Sequence, residues 1–246
     1  MFWCRWLVAL MLAALIAQGS GITTNHVDPL ARAEQAYLQT RIRYEQEHTD
    51  THLAWQFGQA CFELADVVPS NVRRAKIAGE GIEVCKATLE RDPKLAAAQY
   101  YYALNLGQLA RTKSIGALRL VSQMESALKQ ALKLDAEIDF AGPHRSLGLL
   151  YRDAPGWPAS IGSRSRARQH LEKAVELRGD FPENWLALME SYAKWGDKRS
   201  LESNIKTVDE LLVASHQKYF GDPWAVQWQD WERRWQALLK QFPATR

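Results

Sequence analysis

The sequence has few of the features that mark an enzyme or a membrane-spanning protein. Only 3 of its 246 residues are cysteines, and no two of them form a CxxC pair, which argues against a redox enzyme. The apolar run at 7–17 has eleven residues and is too short to span a bilayer well. Acidic and basic residues are interspersed and the net charge is only +3, so we expect no nucleic-acid partner.

The first nineteen residues have the layout of a secretory signal peptide. Arg5 precedes the apolar run, and small residues follow it around 17–19. No cysteine stands at the expected cleavage point, so we expect no lipid attachment there. We therefore predict that residues 1–19 are removed and that the mature chain is exported, periplasmic or secreted, without stable membrane insertion. An uncleaved membrane anchor is the alternative.

Beyond the signal segment, the sequence carries almost no strand-like alternation. Its apolar residues recur at the three-and-four spacing of amphipathic helices, which predicts an all-α protein. Four segments align with one another without gaps: 81–93, 124–136, 167–179 and 201–213. Another helical segment precedes each of them, and its small-residue positions are Gly58, Ala103, Gly148 and Met189. A single helix pair cannot bury its apolar face, so four such pairs are expected to stack.

The repeated unit resembles the tetratricopeptide-repeat (TPR) family. In the fourth unit, Trp185, Leu188, Tyr192 and Gly196 occupy the family's tryptophan, leucine, tyrosine and turn-glycine positions. The resemblance implies a right-handed α-solenoid of about four TPR-like helix hairpins. We expect an N-terminal helix within 20–50, repeats over 51–213 and a C-terminal capping helix within 214–246.

A second, weaker resemblance is to the TPR-like component associated with TRAP-type transporters. Long units, the signal segment and the block GPHRSLGLLYRDAPGW at 142–157 carry it. Three insertions lengthen the first three units between their two helices, and we expect them on one rim of the array. They are 67–74, 111–122 and 153–163.

Members of the TPR family line a concave groove with the first helix of each unit. The resemblance therefore implies a protein-binding scaffold whose partner is another envelope protein or a peptide, with an oligomer possible and no cofactor. The alternative is a transport accessory that handles a small organic ligand. By repeat phase, the predicted groove residues are His52, Trp55, Gln59, Glu63, Tyr100, Leu104, Gln108, Arg145, Leu149, Arg152, Asp153, Leu186, Glu190 and Lys194. We find no catalytic residues, and we expect His144 to serve packing.

The segment 154–168 contains glycines followed by arginines, which raises the question of a phosphate site. It lacks a preceding strand and a Gly-Lys-Ser/Thr ending, so we interpret it as the connector of the third unit. Ser163 or Ser165 is expected to cap the next helix, and Trp157 is expected to fold back over it. An anionic contact through Arg164 and Arg166 is the alternative.

Two residue pairs could carry metal or disulfide chemistry. His48 and His52 are four apart, a spacing that metal sites use on a helix. However, the intervening Thr49–Thr51 segment predicts a helix stop and a new cap, which favours surface histidines. Cys61 and Cys85 face each other within one unit of a TPR-like array, so a disulfide and a pair of packed thiols are both possible.

Both ends of the array are expected to carry capping helices. Asp28 and Pro29 have the pattern of a helix N-cap and first position, and Asp222 and Pro223 repeat it. The C-terminal helix has a tryptophan stripe at residues 224, 228, 231 and 235. The stripe seals the last repeat or, alternatively, forms an exposed aromatic ridge for docking.

Overall fold

The computed structural model describes residues 28–242, and α-helices dominate this part of the chain. The helices are α1 (Pro29–Gln46), α2 (Thr51–Val67), α3 (Asn71–Arg91), α4 (Ala96–Ala110), α5 (Ala117–Leu134), α6 (Ile138–Asp153), α7 (Arg164–Leu177), α8 (Pro182–Lys194), α9 (Lys198–Ser215) and α10 (Ala225–Gln241). A short 3-10 helix, Asp222–Trp224, precedes α10. The structure assigns no β-strand between residues 28 and 242, which confirms the prediction of an all-α protein.

The helices stack in chain order as four hairpins. We call α2, α4, α6 and α8 the A helices, and α3, α5, α7 and α9 the B helices. Each A helix packs on its own B helix, each B helix packs on the next A helix, and successive A helices also lie side by side. This neighbour-to-neighbour pattern is that of a solenoid, and it confirms the predicted stacking of four helix pairs.

Side-chain caps fix where several helices begin. The side chain of Asp28 accepts a hydrogen bond from the backbone N of Leu30 (3.0 Å) at the start of α1. Ser163 caps α7 in the same way, through the backbone N of Arg166 (3.4 Å). Both caps confirm the sequence predictions. Gly196, with φ +67°, adopts the left-handed conformation that ends α8.

All three insertions fall between an A helix and its own B helix, as predicted, but two of them are partly helical. Residues 71–74 and 117–122 are helical and lengthen the starts of α3 and α5, so only 154–163 is a long connection. Trp157, in that connection, has 89% of its surface exposed. The expectation that it folds back over the next helix is therefore wrong.

A left-handed backbone segment precedes most of α6. Asp139, Phe140 and Ala141 have φ values of 50°, 55° and 63°, a conformation that non-glycine residues rarely adopt. Pro143 follows immediately, where the right-handed part of the helix starts. The predicted break at Gly142–Pro143 is thus a change of backbone hand. It turns Asp139 towards Tyr100 of α4 and Phe140 towards Phe181, on whose ring it stacks (4.1 Å between centroids).

The terminal helices cover the two ends of the solenoid. α1 packs on α2, and its Glu34 pairs with Arg73 of α3 (2.7 Å). α10 packs on α8 and buries Trp228, Trp231 and Trp235. These three tryptophans seal the last repeat, and the alternative of an exposed docking ridge is wrong for them.

One predicted cap is not formed at the C-terminal helix. Asp222 and Pro223 lie in the 3-10 turn before α10, which starts after Trp224 without a side-chain cap. Between residues 28 and 242, no helix combines the length and the hydropathy needed to cross a bilayer.

Candidate functional site

The accessible part of the predicted groove begins on α2. The Trp55 ring stacks on Tyr101 of α4, with 5.9 Å between the ring centroids and 4° between the planes. Its indole N donates to His52 Nδ1 (3.2 Å), and the Trp55 side chain remains partly exposed. Tyr101 is only 7% exposed, so the stack joins the first two A helices and, of the two rings, it is Trp55 that keeps surface open to solvent.

Glu63 lies two helical turns farther along α2. Its carboxylate accepts a hydrogen bond from Gln59 (2.8 Å), and the side chain is exposed to solvent. Nearby protein atoms desolvate the carboxylate in part, which raises the pKa of Glu63 above its usual range. The exposed side chain is therefore available at the position that the repeat phase predicts for it.

Tyr100 and Arg145 form a buried clasp with Asp139. Tyr100 donates to Asp139 Oδ2 (2.7 Å), and Arg145 Nη2 donates to the same oxygen (2.6 Å). Arg145 Nη1 also donates to Asn184 Oδ1 (2.8 Å). Tyr100 is 1% exposed and Arg145 is 7% exposed. In this structure they join α4, α6 and α8, so their predicted place on the open groove surface is wrong.

Gln108 is also buried, and it holds two A helices together. Its amide donates to Asp66 Oδ1 of α2 (2.9 Å), and the Gln108 oxygen accepts from Arg111 (2.9 Å). Leu104 and Leu186 are buried as well. The structure therefore assigns these predicted groove residues to contacts between repeats. In the sequence, such contacts and an amphipathic groove surface give the same pattern.

A polar network lies farther along the A helices. Arg152 pairs with Asp153 (2.8 Å) and donates to Ser191 of α8 (3.1 Å). Lys194 pairs with Asp153 (2.7 Å). Asp153 and Lys194 keep about half of their side-chain surface exposed, so both charges remain accessible to a partner.

The last A helix is partly covered by α10. Arg234 binds Glu190 through its Nε atom (2.7 Å) and Glu183 through its Nη1 atom (2.8 Å). Glu190, a predicted groove residue, therefore serves the terminal helix. Sequence analysis missed Arg234, although it lies three residues after Trp231 of the stripe and so next to it on the same helix face.

The N-terminal helix reaches the C-terminal part of the chain. Arg32 Nη1 of α1 donates to the backbone O of Asp222 (2.5 Å), and Arg32 Nη2 lies 3.6 Å from Asp222 Oδ2. The contact links residues 190 positions apart. It brings the two ends of the solenoid together and bounds the concave side, a feature for which the repeat pattern holds no signal.

The segment 154–168, with its glycines and arginines, connects α6 to α7. Arg166 lies over the Tyr151 ring (4.1 Å from its guanidinium carbon to the centroid) and pairs with Glu125 (3.4 Å). Arg164 lies over the Trp195 ring (5.3 Å). Both guanidinium groups are engaged by neighbouring helices, which supports the structural interpretation over a phosphate clamp.

The two candidate metal ligands lie on different elements. α1 ends at Gln46, and Asp50 caps α2 by accepting from the backbone N of His52 (2.6 Å). The predicted helix stop and new cap are thus confirmed. His48 lies in the turn and His52 on α2, so the two imidazoles do not share one helix face.

Cys61 and Cys85 are free thiols in the structure and neither is accessible to solvent. Burial raises the pKa of Cys85 to about 12 and also raises that of Cys61. Both thiols would therefore be protonated and unreactive at neutral pH. The arrangement corresponds to the packed-thiol alternative.

A solved structure shares this architecture. A thermophilic TPR protein of Thermus thermophilus superposes with a TM-score of 0.61 at 19% sequence identity, over 86% of this chain and 92% of that chain. The fold is that of a TPR-like solenoid. Residues 24–141, less than half of the chain, match the family described as "Regulator of microtubule dynamics protein 1-3". No curated protein matches the sequence significantly.

Proposed function

We propose that this protein is an exported scaffold that holds another envelope protein, or a peptide segment of one, on its concave side. TPR-like arrays present an extended concave surface to a partner. The observation that carries the proposal is the exposed Glu63 carboxylate on α2, which lies two helical turns from the partly exposed Trp55 ring on the first A helix. The proposal assigns no catalytic residue and no cofactor.

The chemistry of the site defines the partner segment. The partly exposed Trp55 ring, which is held by stacking on Tyr101, suits an apolar or aromatic side chain. A Lys or Arg side chain would pair with the Glu63 carboxylate, which accepts a hydrogen bond from Gln59 and forms no salt bridge with another described residue. Asp153 and Lys194 supply one charge of each sign farther along the groove. A partner segment, extended or helical, that carries an apolar side chain followed by a basic one would match Trp55 and Glu63 in turn.

A pull-down from envelope extract tests the scaffold function. The bait is the chain from residue 20 onward, and the variants are Trp55→Ala and Glu63→Lys. Glu83→Lys is the matched control because it makes the same charge change on an exposed position of α3. We expect both groove variants to lose at least about tenfold in partner recovery, which corresponds to roughly 1.4 kcal/mol, while Glu83→Lys keeps it. Equal recovery by all four proteins would contradict the proposal.

The exported location is part of the proposal and has its own test. The layout of residues 1–19 supports it. Cell fractionation followed by N-terminal sequencing should give a mature chain that starts close to residue 20 in the exported fraction. Recovery of the chain with Met1 and the apolar run intact in the membrane fraction would favour an anchor instead.

A transport accessory that holds a small organic ligand is the second candidate. The Arg32–Asp222 contact favours it, because it bounds the concave side at the ends of the array. Native mass spectrometry of protein purified from its own cells would reveal a retained small molecule. We expect Arg32→Ala to release such a molecule, whereas a spectrum with no added mass would leave the scaffold function as the better explanation.

A further inference from the structure

The two rims of the solenoid differ in charge. Because the A helices lie side by side, all connections from A to B helices lie on one rim, and all connections from B to the next A helix lie on the other. We define the A–B rim by the segments 66–76, 111–119, 153–168 and 194–199. We define the B–A rim by the segments 47–50, 90–95, 133–139, 176–183 and 216–222.

The A–B rim is strongly basic. Its segments contain twelve Lys and Arg residues and three acidic ones, whereas those of the B–A rim contain five Lys and Arg residues and eleven acidic ones. Each acidic residue of the A–B rim is paired with a base of the same rim: Asp66 with Arg111, Asp153 with Lys194, and Asp197 with Arg168. Although the net charge of the whole chain is small, its charges are therefore distributed unevenly, with one basic rim and one acidic rim.

Several bases of the A–B rim have no acidic partner. In the part of the chain that the structure describes, no carboxylate lies within salt-bridge distance of Lys113 or Arg119. Both residues are exposed and flank the start of α5. Their charges are directed to solvent and are available to an external anion.

The same rim carries the most exposed large apolar side chains of the described residues. Ile115 is 92% exposed, Trp157 is 89% exposed and Val72 is 84% exposed. They lie in or next to the A–B connections of the second, third and first units, respectively. Nearly complete exposure of a tryptophan and an isoleucine gains nothing for folding, because neither side chain is removed from water.

We propose that the A–B rim docks onto an anionic phospholipid bilayer. Protruding apolar tips flanked by Lys and Arg are the chemistry of a peripheral membrane contact, since the bases attract acidic headgroups and the tips enter the interface. Tryptophan favours this interfacial zone. An acidic protein partner would need separate pockets matched to tips on three different units, whereas a bilayer accepts them wherever they project.

Docking by this rim is tested on residues that the proposed scaffold function does not use, although the Asp153–Lys194 pair lies at the border of both surfaces. The concave side lies on the A helices, and the tips lie on the connections at one end of each A helix. A docked molecule would keep its groove accessible beside the membrane surface. Failure of vesicle binding would leave the pull-down result untouched, and failure of the pull-down would leave the rim inference untouched.

Vesicle co-sedimentation tests the inference. The protein is the chain from residue 20 onward, so that the apolar run at 7–17 cannot itself insert. The probes are vesicles of phosphatidylglycerol mixed with phosphatidylcholine, and vesicles of phosphatidylcholine alone. We expect binding to the mixed vesicles that weakens with added salt, and no binding to the neutral ones.

Matched variants separate the rim from net charge. Lys113→Glu with Arg119→Glu should lower vesicle partitioning at least about tenfold, because each basic residue near the surface contributes about fivefold. Lys94→Glu with Lys133→Glu makes the same charge change on the B–A rim and should keep most of the binding. Trp157→Ala should lower partitioning several-fold, and Phe220→Ala, another exposed aromatic on the B–A rim, should not.

Three results would overturn the inference. They are no binding to the mixed vesicles, equal losses from the two charge-reversed pairs, and binding to soluble polyglutamate in place of vesicles, which would point to an acidic protein partner. The substituted side chains are exposed, so the variants should keep the thermal midpoint of the parent protein. A variant that binds less and also has a lowered thermal midpoint has lost binding through unfolding, and its result does not count against the rim.

Discussion

Gly148 of α6 lies directly against Leu171 of α7, so that a Cβ atom at residue 148 would come within 2.5 Å of Leu171 Cγ. Gly58 of α2 has the same relationship to Cys85 of α3, where an added Cβ would clash with the Sγ atom. Both glycines occupy the small-residue position of the aligned units. The repeat pattern at this position therefore reports the close approach of an A helix to its own B helix.

Replacing Gly148 tests this contact. We expect Gly148→Ala to lower the free energy of unfolding by about 1–2 kcal/mol, because overpacking costs more than the helix propensity of alanine returns. Gly79→Ala is the control, since no atom lies within 4 Å of its added Cβ. That variant should be more stable by about 0.5–1 kcal/mol. Urea unfolding measures both, and similar shifts in the two variants would contradict the predicted close contact.

The C-terminal tryptophans allow a comparison of a buried and an exposed ring. Trp231 is 1% exposed and donates to Glu183 of α8 (2.9 Å). Trp231→Ala should cost about 3–5 kcal/mol through lost packing. Trp157→Ala, at an 89% exposed position, should change stability by less than about 0.5 kcal/mol. Thermal or urea unfolding measures both variants. A small loss of stability in Trp231→Ala would argue against the role of Trp231 in sealing the last repeat.

The His144–His170 contact predicts a pH dependence of stability. The two Nδ1 atoms lie 3.0 Å apart, and burial, with His144, Lys129 and Arg166 nearby, lowers the pKa of His170 from 6.5 to about 4. Between these values the unfolded chain binds a proton that the native state does not. The free energy of unfolding should therefore fall as the pH drops from about 6.5 to about 4, and His170 contributes at most about 1.4 kcal/mol per pH unit to this fall. Burial also lowers the pKa of His144, which adds to the fall in the same direction.

Two variants isolate this titration. His170→Gln should flatten the pH dependence in that range, because the titrating imidazole is absent. His48→Gln replaces an exposed histidine in a turn and should retain the dependence of the parent protein. Urea midpoints at several pH values provide the measurement. Parallel curves for the parent and His170→Gln would show that the histidine pair does not control acid stability.

The buried cysteines predict slow thiol chemistry. Because Cys61 and Cys85 are inaccessible and their pKa values are raised, native protein should resist alkylation at pH 8, whereas unfolded protein should react at both residues. Peptide mapping after alkylation without reductant measures each site. Peptides joined through Cys61 and Cys85 would instead establish the disulfide alternative.

The sequence anticipated the local elements well because their causes are local. The A and B helices follow from the spacing of apolar residues, and the starts of α1 and α7 follow from Asp28 and Ser163 as caps. The sealing role of the tryptophan stripe was one of two alternatives. The sequence could not select between sealing and docking. An apolar helix face has the same periodicity whether it packs on the last repeat or on another protein.

The candidate site was predicted less well for the same reason. Trp55 and Glu63 keep exposed surface on α2, so their groove position stays a prediction. Tyr100 and Arg145, which the repeat phase also assigned to the open groove, are buried. Phase along one helix specifies a direction, whereas burial depends on how closely the next helix approaches. The left-handed backbone at Asp139 brings a carboxylate to these side chains and closes them into a clasp, and no residue type in that segment signals such a conformation.

The sequence by itself determined that this chain forms paired helices, that the pairs repeat, and where several of them start and stop. Only the tertiary structure decided which polar groove residues are buried, that Arg32 meets Asp222, and that the exposed apolar tips share one basic rim. Those relationships depend on the summed rotation and displacement from one repeat to the next. Small packing differences accumulate over four units, so contacts between distant residues follow from the assembled solenoid and not from any single segment.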